Sequence, residues 1–151
     1  MPTLVIRLVF ACLLGLAAFA GTANAFDTGA SSNGPDLSAV RALIKEKNYD
    51  AALAKLKEIV VTMPHPDVYS LMGFTSRKTG HQQEALVYYR NALDADPSHR
   101  GALEYEGELF VELGQIDNAK ANLAKLDQVC TEGCEEEDDL AEAIEHASAA
   151  K

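Results

Sequence analysis

Basic residues are scarce in this chain. Lys and Arg together number 13 against 23 Asp and Glu, for a formal net charge of −10. Nucleic-acid binding needs clustered cations against phosphate, so this balance argues against it. Basic partners and cations stay open. Cysteine is also sparse, with three in 151 residues, at 12, 130 and 134. The chain has no Cys-x2-Cys-His haem site, no Walker loop, no nucleophile elbow and no His-Glu-x2-His pair. Only one long apolar run is present, over 8–20, and it falls short of the roughly 20 residues that a comfortable membrane span needs.

That run has a different meaning. Arg7 precedes it and Ala23-Asn24-Ala25 follows it. The order of basic, apolar and small-x-small segments is that of a secretory signal peptide. The expectation is a leader over 1–25 cleaved after Ala25, and export to a bacterial periplasm with no stable membrane insertion once the leader is gone. A lipoprotein reading through Cys12 fits poorly, because Phe10 is bulky and most of the apolar run lies after that cysteine. Cys12 therefore leaves with the leader. Cys130 and Cys134 remain, and two cysteines in an oxidising compartment usually pair.

Residues 26–35 are mostly small and polar and read as a flexible lead-in. From there the text is helical, with apolar residues at three- and four-residue steps, as in Leu37, Val40, Leu43 and Ile44. Breaks divide it into helices over about 36–46, 49–62, 67–79, 82–95, 99–112, 116–129 and 135–149. Pro64 and Pro66 stop the second, and Pro97 follows the fourth. Gly80 and Gly114 end the third and fifth. Asp36 and Ser98 are expected caps. The stretch also repeats itself. Gly73, Gly80 and Ala85 return as Gly107, Gly114 and Ala119, and a fainter copy holds Tyr49, Ala52 and Pro64. A fixed period of about 34 residues marks a solenoid of helix pairs, an architecture that mostly binds other proteins. Gly73 and Gly107 fall mid-helix at the same register, which predicts close contact between the two helices of each pair.

These residues resemble the tetratricopeptide repeat. Tyr69, Met72-Gly73, Gly80, Ala85, Tyr89, Ala92 and Pro97 follow that family's order. Gly107, Phe110, Gly114 and Ala119 follow it without the closing proline, and the first copy has Val40 where the glycine would stand. The resemblance implies an all-α solenoid of three helix-turn-helix repeats (about 36–66, 67–98 and 99–131, together 36–131), closed by an acidic capping helix within 132–151. It also implies a concave face lined by the first helix of each pair. On this register that face carries Arg41 and Lys45, then Phe74, Arg77 and Lys78, then Glu104, Glu108, Val111 and Glu112. Such a groove is basic at one end and acidic at the other, with Phe74 and Val111 as apolar anchors near the middle. It would suit a protein or peptide of opposite polarity. The acids at 104 and 108 stand where some relatives grip a C-terminal carboxylate with basic groups, so that mode is not expected. A Leu-x2-Leu-x3-Cys-x3-Cys end, here Leu123, Leu126, Cys130 and Cys134, resembles short envelope proteins of the same repeat family.

Cys130-Thr131-Glu132-Gly133-Cys134 joins the last repeat to the cap, and besides free or intermolecular thiols three readings stay open for it. Gly133 can turn the chain out of a helix so that the two sulfurs bond, pinning the cap. A redox pair would prefer a shorter spacing on a strand–helix unit, and the sequence has no strand text. A soft cation could sit between two thiolates beside Glu135, Glu136, Glu137, Asp138 and Asp139, although zinc usually takes four ligands. His65, His81, His99 and His146 read as scattered surface residues. No catalytic set, metal site or cofactor is expected. The functional expectation is a non-catalytic protein–protein interaction or scaffold module of the cell envelope. The alternative is a thiol redox or metal-handling protein using Cys130 and Cys134.

Overall fold

The computed structural model describes residues 34–149. The leader expected over 1–25 and most of the lead-in over 26–35 lie outside the described residues, as do the last two positions of the cap. Among the described residues there are seven α-helices and no strand. They are α1 (Ser38–Lys45), α2 (Tyr49–Thr62), α3 (Pro66–Lys78), α4 (Gln82–Ala95), α5 (Arg100–Glu112), α6 (Ile116–Val129) and α7 (Glu135–Ala149). Each expected helix is present, with ends moved by two residues at most.

The turn inside each pair is built the same way three times. After α1 the Asn48 amide donates to the Leu43 carbonyl, and the Lys47 amide to Ile44. His81 and Gly80 repeat this on Ser76 and Arg77, and Gln115 and Gly114 on Phe110 and Val111. This is the Schellman closure, which needs a left-handed residue just past the helix. Gly80 (φ 83°) and Gly114 (φ 71°) supply it without strain, while Lys47 holds φ 59° in the first repeat.

Connections between pairs depend on histidine. His65 Nδ1 accepts from the Asp67 amide at 3.2 Å, and His99 Nδ1 accepts from the Ala102 amide at 3.0 Å. The ring nitrogens thus fill the role expected of Ser98, whose hydroxyl donates back to Asp96 instead. Asp36 accepts from the Ser38 amide, but the capping position itself falls to Leu37. The second ring nitrogen of His99 reaches Asp67 at 2.8 Å and ties the start of α5 to the start of α3. His65 and His99 are therefore structural links and not scattered surface groups.

Packing explains the two mid-helix glycines, though only one as expected. A Cβ at Gly73 would stand 2.3 Å from the Tyr89 ring, so that glycine does admit the partner helix of its own pair. At Gly107 the crowding atoms belong to Leu140 of α7, at 2.5 Å, and not to α6. The third repeat uses its glycine to seat the cap. Helix α7 packs on both α5 and α6 and buries Leu140 and Ile144 there. Three successive cores run along the chain, around Val40 and Leu56, around Tyr89 and Leu109, and around Leu103, Leu126 and Leu140. A solenoid core is continuous in this manner because each pair can cover its apolar face only with its neighbours.

Candidate functional site: a groove between the first helices

The first helices of the three pairs share a groove of about 580 Å³. Arg41, Ala42, Ile44 and Lys45 of α1 line it, with Phe74 and Lys78 of α3, and Glu104, Tyr105 and Glu108 of α5. The spacing that puts them there is simple: 41 and 45, 74 and 78, and 104 and 108 are each four apart, hence one above the other on a helix face. Six of the nine groove residues expected from the sequence meet here. Three do not.

Arg77 is the most informative of the three. Its side chain is 7% exposed, and its guanidinium crosses from α3 to α5. Nη1 donates to Glu108, while Nε and Nη2 donate to Glu112 Oε1 at 3.0 and 2.8 Å. Burial works against its charge, but the two carboxylates more than offset this and hold the proton more firmly than in water. Arg77 is thus a strut between repeats, and Glu112 is its partner on the outer side. Val111 packs toward the Leu103–Leu126 core and so is no anchor in the groove. Tyr105, which the repeat register did not single out, takes that place. Its ring lies 5.0 Å from Phe74, which in turn meets Tyr49 edge-on at 6.2 Å. The Lys78 ammonium sits 5.2 Å over the Phe74 ring, a cation–π geometry.

The acidic end expected of the groove is also altered. Glu108 is bound to Arg77. Glu104 is nearly fully buried, and its carboxyl is pushed up to about 9, first by burial and then by the neighbouring charges of Glu108, Asp139, Glu136 and Glu135. At neutral pH it is a neutral acid that can donate a hydrogen bond. Burial likewise raises the Tyr105 hydroxyl well above the usual range. The cations that line the groove are Arg41, Lys45 and Lys78.

At the join to α7, Cys130 and Cys134 form a disulfide, with Cα atoms 5.6 Å apart. Gly133, at φ 82°, makes the turn that brings them together. Glu137 lies with the two sulfurs in a cluster whose donor atoms fall within 4.8 Å of one another. While the sulfurs are bonded to each other they are not thiolates, so this cluster holds no soft-metal site in the oxidised chain. No helix among the described residues is long and apolar enough to cross a membrane.

The family model described as tetratricopeptide repeat matches residues 66–99. That span begins at the first residue of α3 and ends at the histidine that caps α5. No curated protein matches the chain. Repeats of this family generally bind protein partners and are generally non-catalytic. With the same Schellman turn closing the first helix of all three pairs, and α7 sealing the last, the described residues form an all-α solenoid similar to tetratricopeptide-repeat proteins, whose family model matches its second helix pair.

Proposed function

We propose that this chain is a non-catalytic protein–protein interaction module of the cell envelope, whose partner seats in the groove between α1, α3 and α5. The observation that carries this is the convergence of side chains from three separate repeats on one cleft that mixes aromatic surface with charge. A site of that size and composition suits the side chains of a bound segment. Export is supported by Arg7, the apolar run over 8–20 and Ala23-Asn24-Ala25. N-terminal sequencing of the chain recovered from the envelope should begin at Phe26, and recovery of an intact leader from cytoplasm would sink that part.

The interaction is tested by affinity capture from an envelope extract, with the chain from Phe26 onward as bait. The control bait carries Lys45→Glu and Lys78→Glu. Both lysines are exposed, so charge reversal there should leave the fold intact. A partner held by the first bait and lost by the second locates the contact. A partner held equally by both removes the groove from the proposal.

A further inference from the structure

The join between α6 and α7 brings together three groups that the groove does not use. Cys130 caps the end of α6, Cys134 stands just before α7, and Glu137 lies in the first turn of α7. One donor atom from each falls within 4.8 Å of the other two. Of the five acids at 135–139, Glu137 alone joins the sulfurs in this way. We infer that this join, when its two cysteines are reduced, is a binding site for one thiophilic d10 cation. Zinc or a softer ion such as cadmium or copper(I) would be held by Cys130, Cys134 and Glu137.

Local structure explains why the acid is Glu137. The Cys134 carbonyl accepts from the Asp138 amide at 3.2 Å, which makes Cys134 the N-cap of α7. Glu137 is then the third helical residue, the position from which a side chain reaches back to the cap. Its carboxylate has no hydrogen bond or ion pair within the described residues, whereas Glu136 beside it meets Arg100. Gly133, at φ 82°, turns the chain so that Cys130 meets the same cap. The two cysteine Cα atoms, 5.6 Å apart, suit a shared ion as well as a bond. Two thiolates on a tetrahedral ion lie about 3.8 Å apart, given Zn–S distances of about 2.3 Å, and rotation of both side chains reaches this with the backbone in place.

Reduction opens the site. A dithiol passes two electrons and two protons to the S–S bond and leaves as its own disulfide, so the chain gains two thiols. A newly made chain carries the same thiols before any bond forms. The thiolate is the ligand, so each cysteine releases its proton as the cation binds. With a divalent ion, two thiolates and one carboxylate leave a single negative charge, and a water fills the fourth position that zinc favours. Sulfur in two of the three protein positions selects d10 ions over calcium and magnesium, which take oxygen sets. The bound ion spans the end of α6 and the start of α7. It therefore pins the cap in the reduced chain, as the disulfide does in the oxidised one.

The test uses the chain from Phe26 onward, reduced with a phosphine under nitrogen and titrated with Cd2+. Thiolate-to-cadmium absorption in the ultraviolet should rise to an end point at one ion per chain, with about two protons released. The oxidised chain should show no such band. Glu137→Gln should keep the band and weaken binding at least about tenfold, since even groups that only orient a ligand cost roughly 10- to 100-fold. Asp138→Asn removes a charge from the same turn without removing a ligand, and should change affinity by less than about threefold. Cd2+ should also raise the melting temperature of the reduced chain and leave that of the oxidised chain unmoved. Equal losses in the two acid variants, with circular dichroism showing both folded, would overturn the ligand set. An equal melting shift in the oxidised chain, or displacement of Cd2+ by equimolar Ca2+, would assign the ion to surface carboxylates and overturn the site. A reduced chain without the band would overturn it outright.

Discussion

A single carboxyl sets much of the groove's character, and it does so at a cost. Glu104 is neutral in the folded chain near pH 7 because its pKa is raised to about 9. In the unfolded chain it ionises near the ordinary glutamate value of about 4.3. Between those limits the folded state binds a proton that the unfolded state has released, so stability falls as pH rises from the lower value toward the upper one. Below pH 4 the residue contributes no such dependence, since both states are protonated. The prediction is that Glu104→Gln melts several degrees above the parent at pH 8, on the order of 2 kcal/mol in stability, and matches it near pH 4. The acidic surface adds its own alkaline repulsion to both proteins, so the difference between the two melting curves is the quantity to read. A constant offset across that range would mean that Glu104 is ionised in the fold.

At the level of elements, α7 shows how a cap is held. It covers α5 and α6 with Leu140 and Ile144, and the Cys130–Cys134 bond fixes its first turn to the end of α6. A ring this short restricts the unfolded chain only modestly, by about 2 kcal/mol on the loop-entropy argument. Replacing both cysteines by serine should therefore lower the melting temperature by roughly 10 °C or less. Amide exchange should quicken in α7 and the end of α6 while α1–α3 keep their protection. Capture of the groove's partner should persist, because none of the groove residues lies on α6 or α7. Loss of binding in that variant would favour the thiol alternative. The positions of the elements could be read from the sequence, because their breaks are spelled in Pro64, Pro97, Gly80 and Gly114. The caps were harder. Ser98 has the better general propensity, but His99 is one residue nearer the helix and has a second nitrogen for Asp67, and that bond spans 32 residues. Gly107 meets Leu140 of the cap and not α6 for a related reason. The repeat pattern predicts contacts within a pair, and a terminal pair meets a cap where an inner pair meets another repeat.

Across the whole molecule, polar coupling between α3 and α5 runs through the Asp67–His99 link at their starts and through Arg77 with Glu108 and Glu112 further along. The place of Arg77 on the helix face was legible from spacing, but its direction was not. A cation beside Phe74 and Lys78 can point into the groove or across to the next repeat, and the choice depends on acids 31 and 35 residues later. Since Arg77 is buried and doubly paired, replacing it by alanine strands Glu108 and Glu112, one turn apart and of like charge, beside the already crowded Glu104. The expected loss is about 2–3 kcal/mol, less than for a fully buried pair because Glu112 is 43% exposed. A solenoid transmits stability only between neighbours, so the loss should fall at the α3–α5 junction. Amide exchange should rise there first, and the thermal transition should broaden as the outer repeats part company. Lys78→Ala offers the contrast, since its exposed ammonium should be dispensable for the fold and needed for the partner proposed for the groove. If Arg77→Ala instead keeps the parent's melting curve and loses only affinity for the partner captured by the groove, then Arg77 belongs to the groove after all and the strut assignment fails.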